Sequence, residues 1–194
     1  MDNRRYFNKL ACSWDETSKP KAEKLKRIVE LTDLDVSSKI LDVGTGTGVI
    51  IPYLMEKEPS KIIGVDMSDG MISIARNKFD DERIEFLVGD MMTLEIDGFD
   101  CIMLHNVYPH INDKEKLFQK AYAILKEGGT MIVAHSSSRD KINGVHSVNV
   151  ETKDDRLPTA RVTASIMSNF LEVKEVIDED IYFVKGVKNK FLSG

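Results

Sequence analysis

ILDVGTGTGVI, residues 40–50, places glycines at 44, 46 and 48, directly after a short apolar run. Glycine adopts the φ/ψ values of a sharp turn without steric cost, and its missing Cβ lets a ligand lie against the backbone. One glycine would suit a tight strand-to-helix turn that holds nothing. Three, framed by a strand and a helix, point to a bound molecule. The spacing is G-x-G-x-G, whereas a dinucleotide loop reads G-x-G-x-x-G and offers a helix N-terminus to a pyrophosphate. Asp42 stands two residues before the first glycine. A carboxylate there repels a pyrophosphate and suits a ligand with positive charge and no phosphate.

Outward from this turn, short apolar runs at 39–43, 62–65, 84–88, 101–104 and 131–134 are bounded by Gly, Asp or polar residues, as buried parallel strands are. Helix-length patterns lie between them. The first spans 20–34, and the second, 47–57, has Pro52 forcing a bent or short first turn. The third spans 69–79 with Ser68 as its N-cap. The fourth opens on Asn112 and Glu115 as a capping box and stops at Gly128. Residues 136–159 read as polar and irregular. A short helix over 158–169 and two antiparallel strands over 171–177 and 181–187 close the chain. This alternation predicts an α/β, doubly wound sheet with right-handed crossovers.

In such a sheet, ligands bind outside the carboxyl ends of the strands. The second strand ends at Asp66, placed to accept both hydroxyls of a ribose. The third ends at Asp90, able to accept from an exocyclic amine while Met91 flanks the ring. Three acidic strand ends around a glycine-rich turn describe a site for a cationic nucleoside.

DVGTGTG at 42–48, Asp66, GDM at 89–91, FDCIMLHNV at 99–107 and LKEGGTMIV at 125–133 resemble, in order and spacing, the successive motifs of class I S-adenosylmethionine-dependent methyltransferases. The resemblance covers about residues 1–135, and the last two strands fit the family's closing hairpin. The lead-in FNKLACSWDE at 7–16 is similar to that of the small-molecule, UbiE-like branch. The resemblance implies a Rossmann-like, seven-stranded, mostly parallel sheet with its last strand antiparallel. It implies S-adenosylmethionine contacts at Asp42, Gly44, Gly46, Gly48, Asp66, Met67, Asp90 and Met91. It also implies an N-terminal segment folded over the cofactor, bringing Tyr6, Phe7 and Trp14 to the site. The expected layout is a single domain, with a lid and first helix over 1–35, a cofactor-binding core over 36–135, and a substrate loop and closing hairpin over 136–194.

All four histidines lie beyond residue 104. His105 and His135 end the fourth and fifth strands at the cofactor's edge of the sheet, and His110 and His146 lie in the loops that leave them. One reading gives His105 or His135 the acceptor's proton. Another places a divalent metal at the histidine rim, and a third leaves at least two of the four in structural roles. Acceptor contacts are expected from Tyr6, His110, Arg139 and His146, with Arg139 suited to a carboxylate or phosphate. The sequence lacks the N/D-P-P-Y/F/W signature of many enzymes that methylate amino groups of nucleic acids and proteins.

Composition narrows the partners. The 194 residues are 42% apolar with a net charge of −5 and no basic cluster, which argues against binding a phosphate backbone. Cys12 and Cys101 lack metal or redox spacing and read as reduced thiols. The N-terminus has no apolar signal region, and no run is long enough to span a bilayer. The expectation is a cytoplasmic protein whose partner is a small-molecule methyl acceptor, with no nucleic acid and no membrane. Methyl transfer by in-line displacement is the leading function. The alternative is a methyltransferase-like, S-adenosylmethionine-binding protein acting as a partner or sensor without turnover. A nicotinamide-dependent oxidoreductase is opposed by Asp42 and the glycine spacing.

Overall fold

The computed structural model describes residues 3–18, 20–148 and 150–189. Helices α1 (Asn3–Thr17) and α2 (Ala22–Glu30) lead into β1 (Lys39–Val43), α3 (Ile51–Met55), β2 (Lys61–Asp66), α4 (Asp69–Lys78) and β3 (Ile84–Val88). The chain continues through β4 (Phe99–His105), α5 (Lys114–Ile124), β5 (Leu125–His135), α6 (Arg139–Ser147), α7 (Ala160–Met167), β6 (Glu172–Asp178) and β7 (Tyr182–Val187). The strands form one sheet in the order β3-β2-β1-β4-β5-β7-β6. Strand β7 runs antiparallel to both its neighbours, and the remaining pairs are parallel. This is the seven-stranded, doubly wound sheet expected from the sequence.

Period-two alternation decides what each strand residue touches. Ile40, Ile62, Met103, Ile132 and Phe183 pack on one face with Ile28 and Val29 of α2, Leu54 of α3, and Ile72 and Ala75 of α4. Leu41, Val65, Leu104, Val133 and Val184 pack on the other with Leu117, Phe118 and Ala121 of α5 and Met167 of α7. Each fully buried side chain of this size contributes about 1.5–3 kcal/mol. Strand order reverses between β1 and β4, so their carboxyl ends diverge and open a crevice there.

Several local expectations are corrected. The N-cap of α5 is Asp113, not Asn112: its carboxylate accepts from Lys116 N at 3.0 Å and pairs with the Lys116 ammonium. An anion gains more than an amide does from the positive end of a helix. Gly128 does not stop α5, which ends at Ile124. It lies inside β5 with φ +76°, in a stretch where the pairing with β4 shifts register, and its N–H donates to Lys188 O. Strand β5 is therefore longer than the apolar run 131–134 that announced it. Residues 136–159 are not all irregular, since α6 lies within them. Helix α6 buries no residue fully, so it leaves little apolar periodicity to read.

Candidate functional site

A cavity of about 490 Å³ opens at the carboxyl ends of β1 to β4. Asp42, Gly44 and Gly46 line it from β1, Asp66 and Met67 from β2, Asp90 and Met91 from β3, and His105 and Asn106 from β4. Phe7 and Trp14 of α1 and His110 after β4 complete the wall.

The turn after β1 takes positive φ at Gly44 (+67°), Gly46 (+54°) and Gly48 (+83°), so side chains there would strain the backbone. The three glycines differ in what their missing Cβ serves. A Cβ on Gly44 would collide with the Val107 side chain, and one on Gly48 with the Phe79 ring. At Gly46 the nearest atom is Trp14 Nε1, at 3.9 Å, which leaves its backbone open to the cavity. Gly48 does not line the cavity; it lets α4 approach the turn.

Asp42 is 1% exposed, and neither carboxylate oxygen has a hydrogen bond of standard geometry among the described residues, the Thr45 hydroxyl being a nearby donor outside that geometry. Burial raises its pKa to about 7; the Thr45 hydroxyl opposes the shift and the Asp66 charge adds to it. Asp66 is better supported. Its carboxylate accepts from Gly46 N at 2.9 Å and from Ser68 N at 2.8 Å. Burial still raises its pKa, against those two bonds. Asp90 accepts from Met92 N at 2.9 Å, which fixes the turn after β3.

Helix α1 is fastened across this end. Asn8 donates to Asp69 at 2.9 Å, and Arg4 to the same oxygen at 3.1 Å. The Thr47 hydroxyl donates to Asp15, whose other oxygen accepts from Lys78 Nζ at 2.8 Å. Phe7 stands edge-on to both Trp14 and His110, at centroid distances of 5.7 and 5.2 Å.

The histidines are close but do not share one pocket. His105 pairs with Ala134 across β4 and β5, so His135 lies one register position further along. Alternation therefore sends the two rings off opposite faces of the sheet. Burial lowers the pKa of His105 to about 4 and holds His135 well below the usual value, with nearby His105, His110, His146 and Lys114 adding to the latter. Both rings are neutral at pH 7. His135 stands edge-on to Tyr182 at 5.6 Å and does not line the cavity. On its side of the sheet, Asp155 Oδ2 accepts from His110 Nδ1 at 2.7 Å, and the Asp155 carbonyl accepts from His146 Nδ1. Among the described residues no three His, Cys, Asp or Glu side chains are arranged to hold a metal ion, which corrects the metal reading of the histidine rim. Opposed faces divide His105 from His135, and Asp155 occupies one nitrogen on each of the other two histidines.

Tyr6, Arg139 and His146 also lie outside the cavity lining. Tyr6 packs edge-on to Phe7, and Arg139 pairs with its neighbour Asp140 on the surface. Sequence reasoning missed Asp155, 45 positions from His110 with no local signal to link them. It also left unread the conformation of Asn106, at φ +58°, which exchanges two hydrogen bonds with Ser136 and ties the ends of β4 and β5 together.

Residues 40–129 match the family model of a methyltransferase domain. The phosphoethanolamine N-methyltransferase of Plasmodium falciparum is 31% identical over 126 residues, covering 62% of this chain and 47% of that protein. Over this span the chain is similar to methyltransferases. A second methyltransferase relative, the malonyl-[acyl-carrier protein] O-methyltransferase of Acetivibrio thermocellus, is 28% identical over 65% of this chain and 46% of its own length. The chain thus spans about half the length of these relatives. Among solved methyltransferases, the N-methyltransferase NodS from Bradyrhizobium japonicum WM9, in complex with S-adenosyl-L-homocysteine, superposes with a TM-score of 0.76 at 15% identity, covering 97% of this chain and 99% of that one. At that identity the likeness is one of methyltransferase fold. No helix among the described residues is long and apolar enough to cross a membrane.

Proposed function

We propose that the protein transfers a methyl group from S-adenosylmethionine to a small-molecule acceptor. Asp42 carries this reading. A buried carboxylate without a hydrogen bond of standard geometry, beside a glycine turn, is stabilised by a ligand that brings a cationic donor. Its shift from the usual 3.8 to about 7 corresponds to about 4 kcal/mol that such a cation can recover. The ammonium of the cofactor's amino-acid end fits that place, with the bare backbone of Gly46 beside it. Asp66 keeps acceptor capacity for the ribose hydroxyls, and Asp90 and Met91 stand one strand further along for the base.

When bound, the cofactor supplies an activated methyl on a sulfonium, which the acceptor's lone pair displaces in line. What remains for the chain is to orient the acceptor and exclude water. Phe7 and Trp14 cover the cavity, and His105, Asn106 and His110 form its wall on the acceptor side. His135, Tyr6, Arg139 and His146 would support this wall from behind. By their names, one of the two relatives methylates a nitrogen of phosphoethanolamine and the other an oxygen of a carrier-bound malonyl group. Amines and carboxylates are therefore the two acceptor classes to test first.

Calorimetry of the full chain tests the cofactor half of the proposal. S-adenosylhomocysteine should bind, NAD should not, and Asp66→Ala should weaken binding by roughly a hundredfold. An unchanged affinity in that variant would sink the assignment.

A further inference from the structure

We propose that Asp15 and Lys78 are positioning residues that clasp the Trp14 end of α1 to the glycine turn, and that the opening of this clasp sets how fast the cofactor leaves. The inference rests on the methyltransferase reading above and concerns how its cofactor is held.

Phe7 and Trp14 put α1 in the cavity wall, and the helix docks there with little apolar burial. Ala11 is its only buried residue among those described, whereas the shorter α2 buries Leu25, Ile28 and Val29. A helix docked in this way depends on its polar contacts and belongs to the less stable part of the fold.

Those contacts differ between its two ends. Toward the N-terminus, the Asn8 amide oxygen accepts from the Ser68 hydroxyl and from Gly70 N at 3.2 Å, and its amide nitrogen donates to Asp69. Ala11 packs beside Gly70 there, where an added Cβ would stand 3.3 Å from the Ala11 methyl. This end is both bonded and buried. At the other end Asp15 makes the connection. One carboxylate oxygen accepts from the Thr47 hydroxyl at 2.5 Å and the other from Lys78 Nζ at 2.8 Å. Lys78 Nζ also donates to the Thr47 carbonyl at 2.9 Å, so one ammonium holds both helix and turn. Asp15 and Lys78 are partly exposed, and water competes for their contact. The Asp15 end is therefore the one that opens, with the Ala11–Gly70 contact as its pivot.

That end also carries the side chain nearest the bare turn. Trp14 precedes Asp15 and Gly46 precedes Thr47, so the clasp sets the distance between indole and turn. Trp14 Nε1 lies 3.9 Å from where a Gly46 Cβ would stand, and both residues line the cavity. A cofactor whose amino-acid end lies along Gly46 leaves once the clasp parts and Trp14 withdraws. Its dissociation rate then follows the population of the open form. A helix docked permanently, with Asp15 and Lys78 only adding stability, would show no such link.

Trp14 is the only tryptophan in the chain, so its fluorescence reports on this end of α1 alone. The test measures acrylamide quenching of Trp14 in the ligand-free full chain and release of S-adenosylhomocysteine by surface plasmon resonance. Wild type is compared with Asp15→Ala, Lys78→Met and Lys78→Arg. Release should quicken about tenfold in Asp15→Ala and about threefold in Lys78→Met, which keeps the Thr47 bond. Lys78→Arg, which keeps the charge, should restore release to within about twofold of wild type. Quenching should rise in the same order. Release from Asp15→Ala within about twofold of wild type overturns the proposal, as does unchanged quenching, even where the melting temperature falls. Should Asp15→Ala fail to fold, Lys78→Met against Lys78→Arg decides by the same two readouts. If S-adenosylhomocysteine does not bind wild type, the methyltransferase reading fails and takes the cofactor half of the proposal with it. Quenching of the free protein then still decides whether the clasp opens.

Discussion

The proposed cofactor side of the cavity is built at three successive strand ends, each carrying an aspartate: Asp42 within β1, Asp66 closing β2 and Asp90 two residues beyond β3. The proposed acceptor side is built from the end of β4 and the turn after it, with residues of the 139–157 segment behind, and its polar groups include His105, Asn106 and His110. Burial pushes members of both sets toward neutrality, in opposite directions. It raises the carboxyls of Asp42 and Asp66 and lowers the imidazoles of His105, His110 and His135. A buried carboxyl near its pKa at pH 7 waits for a cation. A buried neutral imidazole needs no charge partner. The two sides thus suit the two tasks of methyl transfer, holding a cationic nucleoside and orienting an acceptor.

The strongest test of this division removes one side and watches the other. Asp66→Ala should weaken S-adenosylhomocysteine by roughly a hundredfold, the loss of charge-assisted bonds worth about 1.5–3 kcal/mol each. The ring titration of His110 should stay in place. A shift of His110 in that variant would mean that the two sides are one coupled unit.

Acid stability sharpens the contrast next. A histidine whose folded pKa lies below its unfolded value stabilises the fold above pH 6.5 and loses that contribution as pH falls toward the folded pKa. For His105 the window runs from 6.5 to about 4, on the order of 3 kcal/mol. Asp42 has the opposite sign. Its raised pKa penalises the fold above about pH 7, and the penalty is relieved as pH falls toward 3.8. Urea titrations at pH 7 and 5 should therefore show His105→Gln flattening the acid loss. Asp42→Asn should stabilise the ligand-free protein at pH 7 and less than half as much at pH 5.

Cofactor affinity should show Asp42 more directly. Below pH 7 the ligand must displace a proton from it, so S-adenosylhomocysteine should weaken by up to about tenfold for each pH unit. Asp42→Asn should bind less tightly at pH 8 and respond far less to pH between 8 and 6. A wild-type profile as flat as that of the variant would break the assignment of Asp42 to the cationic end. A smaller effect is expected at the seam. Asn106→Ala loses both bonds to Ser136 and puts Ala, which tolerates the left-handed region less well than Asn, at φ +58°, which should cost about 1–3 kcal/mol in stability. Asp140→Asn, which removes only an exposed ion pair with Arg139, should leave Tm unchanged within error.

The cofactor side was legible in the sequence because each of its parts is local. Asp42 and the glycines stand within one turn, and Asp66 and Asp90 each follow their own apolar run. Gly48 was grouped with the other two glycines because spacing alone does not reveal that Phe79 fills the space beside it. The acceptor side was legible only as a count of histidines beyond residue 104. Their sorting onto two faces of the sheet depends on the register of β4 against β5. Helix α6 left little apolar periodicity to read, because only Ile142 of it packs, half-buried, against the core.

The sequence by itself determined the order of the strands, the glycine turn, and the acidic strand ends, since backbone sterics and alternating burial act over a few neighbouring residues. Only the tertiary structure decided that Asp42 is left without a standard hydrogen bond, that His105 and His135 part company, and that Asp155 reaches His110. Those outcomes depend on register, on the crossing of the chain between β1 and β4, and on a loop closed over 45 positions. Contacts of that kind are set by packing the whole sheet, and no short stretch of sequence carries them.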